Sequence, residues 1–258
     1  METPQGTLVE TVAVDHRRRG AAPTYRARSL FGITLRRLAR SYSALWGLGM
    51  VCGLIFIAAC AGLIAPYGPA QIVPGGGSLE LPTWAHPMGL DLLGRDVFSR
   101  VLYSSRIAIY VGIVSIILAL LPGIPLGIVR IPIYARVVRS SVLSVKENEY
   151  IEAVRALALR PLRILFHHVL PNCMAPIIIT STLSVATSIL IESSLSFLGL
   201  GTQPPTPSWG WDLKANLVFI DTNPWIVVFP GLAIFLTTLA FNMLGDGLRD
   251  ALDPRLKR

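Results

Sequence analysis

Charge is scarce in this chain. Only 15% of its residues are Asp, Glu, Lys or Arg, against about 25% in soluble domains. With 52% of the residues hydrophobic, that deficit excludes an ordinary soluble domain and points to a polytopic membrane protein. Cysteine is rarer still. Cys52 and Cys60 lie within one apolar run and Cys173 at the start of another; without metal-ligand spacing they read as small buried hydrophobes. No Gly-x-x-x-x-Gly-Lys-Ser/Thr phosphate loop occurs, so the chain carries no P-loop ATPase of its own. His167 and His168 are adjacent and do not share a helix face. No nearby Cys or third His completes a catalytic or metal site.

The basic residues are unevenly placed. A net charge of +8 invites a nucleic-acid reading, but the distribution argues against it. Eight Arg fall between Arg17 and Arg40, seven Lys or Arg between Arg130 and Arg163, and four between Arg249 and Arg258. Only Arg95, Arg100, Arg106 and Lys214 lie elsewhere. Four apolar runs separate these clusters: Ala44 to Ala65, Ile107 to Val129, Met174 to Leu198 and Trp225 to Leu244. Each is long enough to cross about 30 Å of hydrocarbon as a helix. Pro122 and Pro125 imply a kink in the second, and Trp225 is a plausible interfacial anchor of the fourth. With the N-terminal tail inside, every basic cluster falls on the same side, as the positive-inside bias expects. The fold class is therefore all-α, a polytopic transmembrane helical bundle. A basic cytoplasmic tail (1–43) precedes a membrane domain (44–258), with an external segment at 66–104 and a cytoplasmic segment at 144–171.

That cytoplasmic segment is the charged insert of a greasy chain. Ser144 and Glu147 fit a capping box at a helix start. Ile151, Val154, Leu157 and Ala158 recur at helical spacing, with Glu147, Glu149, Glu152 and Arg155 elsewhere around the helix. Arg160-Pro161 breaks it, and Pro161 opens a second helix with Leu162, Leu165, Phe166 and Val169 on its apolar face. Pro171 marks the start of the next span. On the residues alone, this is either an amphipathic connector on the headgroups or a docking element for a soluble partner.

Three further features carry polar chemistry. Around Gly89, Asp91, Gly94, Arg95, Asp96 and Arg100, turn-prone residues adjoin opposite charges; they fit a solvated loop, a docking surface or a contact with a partner subunit. Pro204-Pro205-Thr206-Pro207, beside Trp209 and Trp211, fits a short re-entrant or interfacial loop, or else a gate. Glu192 is a carboxylate inside an apolar run, near its external end, where structural pairing and a pathway role are equally open. Asn242 in the last run fits a helix–helix hydrogen bond.

Glu152-Ala153-Val154, then Ala158, then Leu170-Pro171 resembles the Glu-Ala-Ala motif of bacterial ABC importer permeases. Ala158 stands where that pattern has Gly, and His168 where it has Ile. His86 to Arg100, Ser194 to Gly210 and Gly245 to Arg255 resemble the dipeptide/oligopeptide/nickel permeases, nearest to the C-type subunits of dipeptide permeases. The resemblance implies a coupling helix that docks into a cytoplasmic ATPase subunit, carried by Glu152, Ala153, Ala158, Leu170 and Pro171, with Glu149 and Arg155 as rim charges. It also implies a homologous second permease, an extracytoplasmic substrate-binding protein, ATP and Mg held by the partner ATPases and no cofactor on this chain. The setting is the bacterial inner or plasma membrane, with both termini cytoplasmic. Cargo is expected to be dipeptides or oligopeptides, with nickel or haem as alternatives; a passive channel or accessory scaffold is the rival class. The family pattern has six spans. About 50 residues of it, an in–out–in hairpin, are missing at Arg130/Ile131, through a natural deletion or a segment left out of the sequence. Ile131–Leu143 is then the cytoplasmic end of a span.

Overall fold

The computed structural model describes residues 41–120, 131–147, 151 and 160–252. Among them no β-strand forms. The helices are α1 (Tyr42–Ile64), α2 (Val97–Leu120), α3 (Ile131–Lys146), α4 (Pro161–Ile164), α5 (Leu170–Leu198), α6 (Trp209–Asn216) and α7 (Trp225–Leu252). A π turn, Leu165–Val169, joins α4 to α5, and a 3-10 turn, Leu217–Phe219, follows α6. The expected Pro122 and Pro125 kink and the basic tail lie outside the described residues, as does the break at Arg130.

Four helices, α1, α2, α5 and α7, are long and apolar enough to cross a membrane. They form a ring in which α1 packs on α2, α2 on α5, α5 on α7 and α7 on α1. Ala108, Val185, Ile189, Trp209 and Ile234 fill its interior near one end. The outward faces are largely apolar: Phe56, Leu63, Tyr110, Leu190 and Phe235 are all exposed. Helices apolar around most of their circumference suit a bilayer. Cys173 is buried as expected, but Cys52 is exposed on α1, because its side of the helix faces no neighbour.

Local chemistry sets the ends. Ser41 Oγ accepts from Ala44 N at 3.4 Å and caps α1. The second span starts at Val97, ten residues before the expected Ile107. Asp96 caps it: Oδ2 accepts from Ser99 N at 2.8 Å and from Ser99 Oγ at 2.6 Å. Arg100 and Arg106, expected before the span, lie within helix α2. Gly199, at φ 87°, ends α5, with Leu200 N donating to Leu195 O at 2.8 Å. The last span runs on to Leu252 rather than stopping near Leu244.

The α1–α7 contact depends on glycine. A Cβ at Gly47 would land on the backbone of Leu244, and one at Gly247 on Ala44. Small residues let the backbones approach without lipid between them. Gly47→Leu therefore separates the two helices. The expected loss is about 1–3 kcal/mol, read as a lower unfolding midpoint in detergent; an unchanged midpoint would refute this packing.

Candidate functional site

At one end of the ring, residues 65–96 and 199–224 fold over the helices. The two segments meet through Asn223 Nδ2, which donates to Leu79 O at 2.9 Å. Segment 65–96 is built on turns: Val73 N donates to Gly94 O, Leu90 N to Glu80 O and Val97 N to Gly89 O. Gly89 has φ 75° and sits against the carbonyl of Glu80, so no other residue fits there. Asp91, buried, accepts from Leu93 N at 2.9 Å, from Arg95 N at 2.8 Å and from Arg95 Nε at 2.7 Å. Asp96, also buried, faces His86 Nδ1 at 3.4 Å besides capping α2. The charges of this segment are thus turned inward onto its own turns.

Arg100 is buried as well, one turn into α2. Its Nε donates to Asp212 Oδ1 at 3.0 Å, its Nη2 also reaches that oxygen, and its Nη1 donates to Pro69 O at 2.8 Å. One guanidinium therefore ties α2, α6 and segment 65–96 together. Burial pushes the Asp212 carboxyl above the usual range; the Arg100 charge opposes that shift without cancelling it. The residues that follow Pro207 are not a loop. Ser208 opens α6, Trp209 is buried and its Nε1 donates to Val101 O at 3.0 Å. Pro204 and Pro205 stay exposed at the rim. At Gly210, a Cβ would strike the backbone of Ser193, so α6 lies directly on α5.

Glu192 lies under this layer. Its Oε1 accepts from Ser196 Oγ at 2.7 Å, Ser208 Oγ at 3.0 Å and Thr202 Oγ1 at 3.1 Å. Thr202 N in turn donates to Ser196 Oγ at 2.9 Å. The carboxylate thus gathers the end of α5, the loop after it and the start of α6. Three hydroxyls thus donate to this one oxygen. Asn242 is exposed on α7, because its side of that helix faces away from the ring.

The opposite end holds the charged insert. Glu149, Glu152, Ala153, Arg155 and Ala158 lie outside the described residues, as do the side chains of His167 and His168. Ser144 and Lys146 belong to the last turns of α3, so Ser144 is no capping residue: a cap needs non-helical backbone. Ile131–Leu143 is helical, as expected of a span remnant, and packs on α5. Arg160 is extended (ψ 135°) and Pro161 is the first helical residue, which is the expected break. Ile151, Val169 and Cys173 are buried together, with Val142, Val145 and Ile164 against them. Leu162, Leu165 and Phe166 are exposed. Pro171 stands in the first turn of α5, one residue after Leu170, which is the expected start of this span. It has no N–H, and its ring crowds the carbonyl four residues back; the chain widens into the π turn, Leu170 N bonding Leu165 O, and continues as α5.

Residues 36–258 match the family described as binding-protein-dependent transport system inner membrane component. The chain belongs to this family. The permease is 36% identical to the dipeptide transport system permease protein DppC of Alkalihalophilus pseudofirmus, over 90% of this chain and 92% of that protein. It is 37% identical to DppC of Escherichia coli K12, over 85% and 91%. It is 35% identical to the glutathione transport system permease protein GsiD of Salmonella typhimurium, over 86% and 89%. The first alignment runs over 282 positions. Since 90% of 258 residues is about 232, roughly 50 of its positions have no counterpart in this permease. That shortfall has the size read at Arg130/Ile131.

Sequence reasoning about this permease missed Arg100–Asp212 and the hydroxyls of Ser196, Thr202 and Ser208. A signal for α6 was present. Ser208 before Trp209-Gly210-Trp211-Asp212 has a capping residue followed by an acid in the first turn.

Proposed function

We propose that this permease is the transmembrane subunit of an ATP-driven importer that carries dipeptides or oligopeptides inward. It pairs with a homologous second permease and is driven by two cytoplasmic ATPase subunits or domains, which hold ATP and Mg. An extracytoplasmic binding protein delivers the cargo. The observation that carries the reading is family membership together with the peptide cargo named for the relatives. The charge pattern supports an inner-membrane orientation with both termini and segment 144–171 cytoplasmic.

In this reading Glu149, Glu152, Ala153, Arg155, Ala158, Leu170 and Pro171 form the ATPase-coupling segment. The exposed Leu162, Leu165 and Phe166 give it an apolar face, as an interface core requires. Gly89, Asp91, Gly94, Arg95 and Asp96 shape the external docking surface, with Pro204 and Pro205 at its rim. The buried charges of the first group act by holding the turns rather than by touching a partner. Glu192 holds the external layer onto α5.

The test is uptake of a labelled dipeptide into vesicles that contain the whole complex. Accumulation requires hydrolysable ATP on the cytoplasmic side and the binding protein outside. Dipeptide flux that persists without ATP would instead identify a passive channel.

A further inference from the structure

Arg106 is the unpaired counterpart of Arg100. It sits on the outward side of α2 and has no carboxylate partner among the described residues. Its Nε donates to Ala58 O at 2.7 Å, its Nη2 approaches Ala59 O at 3.5 Å, and its Cζ stands 5.0 Å from the ring centroid of Tyr103. Carbonyls inside a helix already accept their own i+4 amide, so these contacts orient the guanidinium without neutralising it. The side chain rises along α1 from Ala58 towards Gly62. Gly62 is exposed, and a Cβ there would stand 3.6 Å from both Arg106 Nη2 and Tyr103 Oη. A cation and a phenol thus converge on a notch in α1 that has no side chain, two residues before the helix ends.

The surroundings have the pattern of an amphiphile. Ile55 lies seven residues before Gly62 on α1, and Tyr110, Ile113 and Ile117 follow Arg106 on α2 at helical spacing. All four are exposed. The polar notch is at the 65–96 end of the spans, and the apolar stripe runs from it towards the middle of the membrane.

We propose that Gly62, Tyr103 and Arg106 form a binding site for the phosphate of a phospholipid, with an acyl chain along Ile55, Tyr110 and Ile113. The lipid belongs to the leaflet at the 65–96 end, which is the outer leaflet in the orientation proposed above. Arginine engages phosphate through charge-assisted, bidentate bonds, and the tyrosyl hydroxyl adds a donor. Long basic side chains in spans reach for the headgroup level in this way. A peptide carboxylate would satisfy the notch but leave the stripe unused. A second permease laid over the notch would have to bring an acidic side chain to the guanidinium, because a buried charge left unpaired is costly.

Native mass spectrometry of the complete importer complex tests this, with dioleoylphosphatidylglycerol as probe. Diolein, inorganic phosphate and dialanine serve as competitors. The wild-type complex retains the phospholipid and not diolein. Its apparent affinity falls about tenfold in Arg106→Gln, the loss expected for one charge-assisted bond. Gly62→Leu fills the notch while keeping the guanidinium and gives a comparable loss. Equal retention in wild type and both variants would overturn the site. So would absence of the lipid from the assembled wild-type complex. Displacement by dialanine would assign the notch to cargo, and displacement by inorganic phosphate alone would assign it to a free anion; either overturns a lipid site.

Discussion

Exchanging Glu152 for Lys together with Ala153 for Trp reduces ATP hydrolysis in the assembled importer to its unstimulated rate and stops uptake, while insertion and assembly proceed. The segment is expected to dock as a short helix whose apolar face fills a groove and whose charges line the rim. Reversing the charge of Glu152 and adding an indole at Ala153 removes both complementarities. Losing about 1.4 kcal/mol of docking already costs tenfold in affinity, and a clash in the core of an interface costs more. The measurement is substrate-stimulated hydrolysis beside uptake in one preparation, with membrane-fraction yield as control. Stimulation that survives the double exchange would remove this segment from the coupling path.

The second large effect is on stability. Asp212→Ala leaves the buried guanidinium of Arg100 with Pro69 O as its remaining partner. Breaking one side of a buried ion pair costs about 3–5 kcal/mol. The expected result is a sharply lowered unfolding midpoint, with early protease cleavage in 65–96 and 199–224, the segments that the pair fastens. The paired exchange Arg100→Met with Asp212→Leu recovers most of the loss, because it removes both charges and fills the space with apolar atoms. Equal instability in the single and double variants would show that Arg100 contributes through packing rather than through its charge.

The spans were legible because hydrocarbon imposes a simple rule: about 20 consecutive apolar residues or none. Residues 44–65 differ from α1 by two residues at the start and one at the end. Legibility failed where tertiary partners overrode composition. The expected start of the second span fell after Arg106 and so past Val97; Arg100 lies within the helix because Asp212 supplies its counter-charge there. Asp212 lies 112 residues from Arg100, a separation no local pattern crosses. Ser144 matched a capping box because the pattern tests residue types, whereas the backbone there continues a helix begun at Ile131. Glu192 was visible as an intramembrane acid, but its donors Thr202 and Ser208 stand beyond the end of its helix. Pro171 was legible as the start of α5, but the π turn that joins α5 to α4 without a break was not.

That uninterrupted turn has a consequence for timing. From Pro161 to Leu198 the chain is one helical rod, on the order of 55 Å long at the usual rise per residue. One end emerges at the break after Arg160, beside the charged insert. The other carries Glu192, which grips Thr202 and Ser208. The π turn and Pro176 are the places where the rod can bend, but the helix runs on through both, so its two ends stay linked. In an importer built on it, displacement at the nucleotide side and rearrangement of the far loops belong to one kinetic step, and reporters on Leu162 and Thr206 would relax with the same time constant.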